Sequence, residues 1–354
     1  MLDKHSKIYY STHYSISFVF ITLQELKMSH LKIKLLSIVG LAFSLIVLPM
    51  YGLATEKTVK YVAITAIVQH PALDNVKKGV EDELKANGYI EGDNLRLQYQ
   101  SAQGSSANAA QIAKQFAASK PDAIVAIATP SAQALAAATK TIPVIFTAVT
   151  DPVAAKLTPS WQPSHSNITG VSDALSLETQ LDTILKIIPN AKSIGYVYSP
   201  SEVNSTIILK QLQQLLASRD MKIIAVPAQR TSDIPTAARS LKGKVDLIYT
   251  TTDNNVISAY ESLVKVANSS KIPLIASDPD SAERGAIAAL GMSYYDLGRQ
   301  AGKIVIRILN GEKAGDIAPQ VGEVTQLVIN TKAAEKQGVT LSDEMLQMAA
   351  KIIN

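Results

Sequence analysis

Tyr61–Val68 (YVAITAIV), followed by Leu73–Asn87 (LDNVKKGVEDELKAN), decides the fold. The first stretch is apolar throughout, as a strand covered on both faces must be. The second carries Val76, Val80 and Leu84 at helical spacing and stops at Gly88, which suits the position just past a helix end. The same pairing then repeats. Asn94–Gln100 predicts a strand, Ala107–Ser119 a helix, Ala123–Ala128 (AIVAIA) a buried strand, Ser131–Lys140 a helix and Pro143–Thr147 a strand. Such a βαβα alternation requires a parallel sheet with helices on both faces.

The alternation breaks at Leu157–Asn167, rich in Pro and Ser, and extended structure resumes at Ile168–Asp173 (ITGVSD). A second series follows. Helices are predicted at Leu175–Ile188, Val203–Ser218, Ile234–Leu241 and Val256–Asn268, with strands at Ser193–Tyr198, Lys222–Val226, Val245–Tyr249 and Pro273–Ala276. The tail adds a strand at Gly285–Leu290 (GAIAAL), a helix at Tyr295–Leu309, a strand at Gln326–Ile329 (QLVI) and a short helix opening at Lys332–Glu335. These pieces are too few for a third domain. They extend the two sheets already present, so the chain must cross between two lobes more than once.

Ahead of the first strand lies an export signal. Met28 opens a basic segment with His30, Lys32 and Lys34, the uncharged run Leu35–Met50 follows, and Gly52-Leu53-Ala54 supplies small residues at the −3 and −1 positions of a cleavage site. The 16-residue run is shorter than the roughly 20 residues needed to span a bilayer as a helix. The expectation is a cleaved signal peptide at 28–54 and a periplasmic product. Residues 1–27 read as an over-extended start.

Beyond residue 54 the chain has 29 basic and 28 acidic residues, with no clustered basic face for nucleic acid. It has no cysteine, which excludes a lipid-anchored product, a disulfide framework and thiol chemistry. Only His70 and His165 remain after the signal, so a histidine-rich metal site is not expected. GxGxxG, P-loop, HExxH and GxSxG motifs are all missing, so neither an enzyme nor a cofactor is expected. A transcription regulator of this architecture would carry a helix-turn-helix where this chain carries its signal.

Seven stretches resemble one family: Ile67–Asp74 (IVQHPALD), Ala128–Leu135 (ATPSAQAL), Phe146–Val153 (FTAVTDPV), Gly170–Asp173 (GVSD), Tyr249–Val256 (YTTTDNNV), Leu274–Asp278 (LIASD) and Gly291–Gly298 (GMSYYDLG). In this order they resemble the tryptophan/tyrosine-type substrate-binding proteins of ABC transporters. The resemblance implies the type I periplasmic-binding-protein fold: α/β, two doubly wound parallel-sheet lobes joined by a three-crossover hinge. By the same analogy lobe one is 55–173 plus 282–315, and lobe two is 174–281 plus 316–354. It further implies a monomer that binds an amino acid or similar solute between its lobes and delivers it to an ABC permease and its ATPase. A ligand sensor docking on a signalling receptor is the other role open to such a protein.

In open parallel sheets, ligands sit at the carboxyl ends of the strands. Gln69 ends the first strand; His70, before Pro71, reads as a turn or rim residue. Thr129 suits an N-cap, Pro130 a first helical position, and the N–H groups of Ser131 and Ala132 could hold a carboxylate; plain capping needs the same residues. Thr147 follows the next strand as a ligand contact, with Asp151-Pro152 forming a turn. Asp173 can pair with an ammonium group or cap the next helix. Thr250–Asn255 is six polar residues, more than a turn needs; within it Thr252, Asp253 and Asn254 are candidate contacts, and Asp253 and Asn254 can equally cap a helix. Asp278 offers another carboxylate. Helix-end donors and acids together suit a zwitterion. The single Trp (Trp161) and two Phe beyond the signal disfavour sugar stacking, and the absence of Lys and Arg from these motifs disfavours phosphate. Tyr198, Tyr294 or Tyr295 could support an aromatic side chain.

Overall fold

Strand β1 (Lys60–Ala66) buries Val62 through Ala66 and leads into helix α1 (Pro71–Ala86). The computed structural model describes residues 58–354; the expected signal at 28–54 and the segment 1–27 lie outside the described residues. The first series continues with β2 (Leu95–Ser101), α2 (Ser106–Ser119), β3 (Ala123–Ile127), α3 (Thr129–Ala138), β4 (Val144–Thr147) and β5 (Ile168–Ser172). The second comprises α4 (Leu177–Ile187), β6 (Ser193–Tyr198), α5 (Val203–Ser218), β7 (Lys222–Pro227), α6 (Ile234–Ser240), β8 (Leu247–Thr250), α7 (Asn254–Ser258), α8 (Tyr260–Ser270), β9 (Leu274–Ala276) and α9 (Asp280–Arg284). The tail forms β10 (Ala288–Met292), α10 (Tyr294–Leu309), β11 (Gln320–Val321), β12 (Thr325–Asn330), α11 (Thr331–Gln337), α12 (Asp343–Met348) and β13 (Lys351–Ile353). The helix expected at Val256–Asn268 is therefore two helices, α7 and α8, divided at Ala259.

The first sheet has the order β11-β5-β4-β3-β1-β2 and the second β13-β12-β10-β9-β8-β6-β7. All pairings are parallel except β10 with β12. That exception has a topological cause. Thr325, the first residue of β12, pairs with Met292, the last of β10, so β12 enters where β10 leaves and must run back. Phe116, Leu135, Phe146 and Leu297 belong to the core of the first sheet. The second sheet has a separate cluster on each face, one with Leu181, Leu212 and Met345, the other with Ile234, Tyr260 and Leu263. Each such side chain contributes about 1.5–3 kcal/mol by leaving water.

The tail does not divide as the sequence suggests. Of the span 282–315 assigned to lobe one, β10 lies in the second sheet, while α10 and Ala314 pack on the first. Of the span 316–354 assigned to lobe two, β11 pairs with β5 of the first sheet. An apolar run such as GAIAAL reads alike in either sheet, and only its distant partners decide its place. Helix α10 is held on α1 by bare backbone: a Cβ on Gly79 would lie 2.1 Å from the Tyr295 carbonyl oxygen, and one on Gly298 2.1 Å from that of Val76.

Three segments cross between the sheets: 173–176 after β5, Ser293 after β10, and 322–324 after β11. They are tied side by side. The Gly322 N–H donates to the Ser172 carbonyl at 2.9 Å, and the Ser293 N–H to the Val324 carbonyl at 2.8 Å.

Candidate functional site

The carboxyl ends of β1, β3, β4 and β5 face those of β6, β8 and β9 across a cleft, where doubly wound sheets place ligands. The walls touch directly: the Thr150 and Thr252 hydroxyls are 2.8 Å apart, and the Asn75 amide donates to Asp280 at 3.0 Å. Two cavities lie between them. The first includes His70, Thr129, Asp173, Asn204, Asn254 and Asp278 in its lining. The second is walled by Leu175, Leu177, Ile208 and Met292 among others. Asp173, Thr252 and Tyr294 line both, and no Lys or Arg lines either.

Of the sequence-derived candidates, Thr129, Asp173, Thr252, Asn254 and Asp278 meet at this site. Asp173 is buried, with Oδ2 accepting from the Tyr294 hydroxyl at 3.1 Å and Oδ1 without a partner among the described residues. Burial pushes its carboxyl above the usual range. Asp278 is 2 % exposed. It accepts from the Ser281 N–H at 3.0 Å and the Ser281 hydroxyl at 2.5 Å. Burial pushes its carboxyl up to about 6.

The other five candidates stand elsewhere. Gln69 is exposed and accepts from Gln103 at 3.3 Å. Thr147 is buried in β4 with an unpartnered hydroxyl, outside both cavity linings. Ser131 and Ala132 also lie outside the linings, and the Ala132 N–H is already engaged by the Ala128 carbonyl at 3.1 Å. Asp253 is 1 % exposed and saturated within the second sheet. Its carboxylate accepts from the Ser199 N–H (2.6 Å), the Ser205 hydroxyl (2.6 Å), the Ser199 hydroxyl (2.8 Å) and the Val256 N–H (3.0 Å). It is the cap of α7, with no lone pair left for a ligand.

Helix α3 starts differently from the expectation. Thr129 is its first residue rather than its cap; the cap is Ala128, at φ 74 and ψ 155, with no side-chain hydrogen bond. That conformation is ordinarily reserved for glycine and costs about 1–3 kcal/mol. Ala148, at φ 52, lines the same cavity. Strained backbone of this kind collects at binding sites. First-turn amides have no acceptor within their own helix, so α3 and α1 bring donors to the cavity at Thr129 and Ala72. His70 caps α1 through Nδ1, which accepts from the Leu73 N–H at 3.5 Å. Burial, aided by Arg284, pushes its imidazole down to about 3, so it is neutral.

Two important residues escape sequence reasoning. Glu202 is buried and plugs the amino end of α7, accepting from the Asn254 N–H (3.1 Å), the Asn255 N–H (3.3 Å) and the Asn254 amide (2.6 Å). Burial, then the neighbouring Asp253, pushes its carboxyl up to about 7. Asn204 donates its amide to Glu202 at 3.1 Å and to the Thr252 carbonyl at 2.9 Å, which leaves Oδ1 buried and unpartnered at the first cavity. The usable signal was positional: Ser199–Asn204 follows β6, another strand ending at the cleft.

Among the described residues, no three His, Asp or Glu side chains converge as metal ligands, and no helix is long and apolar enough to cross a membrane. The architecture is the type I periplasmic-binding-protein fold. Residues 61–353 match the family model described as ABC transporter substrate binding protein. The chain is 40 % identical over 275 residues to a tyrosine-binding protein of Clostridioides difficile (strain R20291), covering 78 % of this chain and 80 % of that one. It superposes with a TM-score of 0.80, at 32 % identity, on a Streptococcus pneumonia ABC domain in complex with L-Trp, covering 84 % of this chain and all of that one. Against the ligand-free, open structure of a Clostridium difficile substrate-binding protein with adhesive properties, the TM-score is 0.64 at 35 % identity, again over 84 % of this chain and all of that one. The chain belongs to the family of ABC transporter substrate-binding proteins.

Proposed function

We propose that this protein is the periplasmic receptor of an ABC importer and that it binds an α-amino acid with an aromatic side chain in the cleft. One observation carries the reading: among the described residues Asp173 Oδ1 and Asn204 Oδ1 are buried acceptors without partners, from two sides of one cavity that Asp278 also lines. An ammonium group has three donors to place, and these oxygens suit it. The amides at Thr129 and Ala72 suit the carboxylate, since the amino end of α7 is filled by Glu202. The apolar second cavity suits the side chain.

The comparisons support the same reading. The relative at 40 % identity is a tyrosine-binding protein. The chain also superposes better on the L-Trp complex than on the ligand-free open structure, at similar identity, as lobes closed on a ligand would. A permease and its ATPase are the partners such a receptor needs.

Calorimetric titration tests the proposal. L-Tyrosine or L-tryptophan is expected to bind one to one, and glucose and inorganic phosphate not at all. Binding of a sugar or phosphate with none of any amino acid would sink it.

A further inference from the structure

The second cavity is apolar on Leu175, Leu177, Ile208 and Met292, and its polar groups are nearly all engaged inside the protein. Thr150 and Thr252 bond each other, Thr251 bonds the Tyr196 hydroxyl at 2.7 Å, and the Tyr294 hydroxyl donates to Asp173. Gln180 accepts from the Tyr249 hydroxyl and donates to the Leu175 carbonyl at 3.1 Å. One group remains. The Ser277 hydroxyl oxygen is sealed from solvent and makes no well-formed hydrogen bond among the described residues; Tyr249, the side chain that interacts with it, already gives its own proton to Gln180. Buried polar groups in native proteins are paired almost without exception, so an orphan in a ligand cavity points to a partner on the ligand.

We propose that Ser277 is a specificity-determining residue: its hydroxyl pairs with a polar atom on the ligand's aromatic ring, a phenolic hydroxyl or an indole N–H, and so disfavours a plain phenyl group. The assignment rests on the reading of the cleft as an amino-acid site. Ser277 and Asp278 are adjacent in sequence and line different cavities, so the loop after β9 reads side chain and head group at once. A phenyl ring fills the same apolar walls but leaves the hydroxyl orphaned. The difference is one hydrogen bond made in a dry site, about tenfold in affinity.

The full-length protein and its Ser277→Ala variant are titrated calorimetrically with L-tyrosine, L-tryptophan, L-phenylalanine and L-leucine. The wild type is expected to prefer tyrosine or tryptophan over phenylalanine by about tenfold. The variant should bring that preference within about threefold while phenylalanine binds as before, which also shows that the variant is folded. Whichever of tyrosine and tryptophan loses affinity identifies phenol or indole as the partner. If the variant binds nothing, Ser277→Thr retains the hydroxyl and must keep the preference; its loss there overturns the proposal. An unchanged preference in Ser277→Ala, or a wild type indifferent between phenylalanine and the polar rings, also overturns it. Wild-type binding of none of the four sinks the amino-acid reading with it, whereas binding without preference sinks the Ser277 assignment alone.

Discussion

Two helices open onto the cleft from opposite walls, α3 and α7, and their amino ends have opposite fates. At α7 the Asn254, Asn255 and Val256 amides are all taken, by Glu202 and Asp253 of the same sheet. At α3 no side chain caps the helix, and the backbone turns through a strained Ala128 to start it. A filled helix end is a piece of scaffold, and an open one is a place for an anion. The same contrast separates two aspartates. Asp253 accepts four hydrogen bonds from its own sheet. Among the described residues the Asp278 side chain is bonded only to Ser281, and its carboxyl is pushed up to about 6 by burial. One acid holds a wall together, and the other keeps acceptor capacity that its own sheet does not use.

Substitutions break the contrast in a definite order. Asp278→Asn removes the charge that an ammonium would meet, a loss of about 2–5 kcal/mol in binding, or roughly thirtyfold or more. Urea denaturation of that variant should show stability within about 1 kcal/mol of wild type, because the buried carboxyl is already costly to ionise. Asp253→Ala should do the reverse. It strands donors from Ser199, Ser205 and Val256 and should lower stability by about 3 kcal/mol, with binding weakened only as the fold weakens. Equal effects of both variants on both quantities would erase the distinction.

A smaller effect is set by pH. Asp278 must be ionised to pair with an ammonium, and in the empty protein it holds its proton up to about 6. Affinity should therefore be level near pH 7 and fall as pH drops below about 6, by at most about tenfold per unit for one proton. In the empty protein the sign is opposite. A raised carboxyl binds its proton more tightly when folded, so this group's stabilisation is full below pH about 3.8 and is lost as pH rises through about 6. Asp278→Asn should flatten both profiles. Smallest of all, Ala128→Gly relieves the positive φ and should raise stability by up to about 1 kcal/mol, measured by urea denaturation.

The alternating elements were legible because a buried parallel strand and an amphipathic helix each leave a local pattern, as YVAITAIV and LDNVKKGVEDELKAN do. The tail was not, because β10 and β11 take their sheets from partners far along the chain. At the site, the strand-end rule located Asp173, Thr252, Asn254 and Asp278. It could not tell Asp253 from Asp278, since the four donors that saturate Asp253 come mostly from the loop and helix after β6. For the same reason Asn204 went unseen: its oxygen matters only because Glu202 and Thr252 fix its amide.

On the proposed reading, the cleft grips an ammonium group with buried acceptors. Calorimetric titration of the protein with L-tyrosine and with N-acetyl-L-tyrosine at pH 7.5 tests it directly. Acetylation, which removes the charge and two of its donors, is expected to weaken binding by about a hundredfold or more. Equal affinity for the two compounds would contradict it.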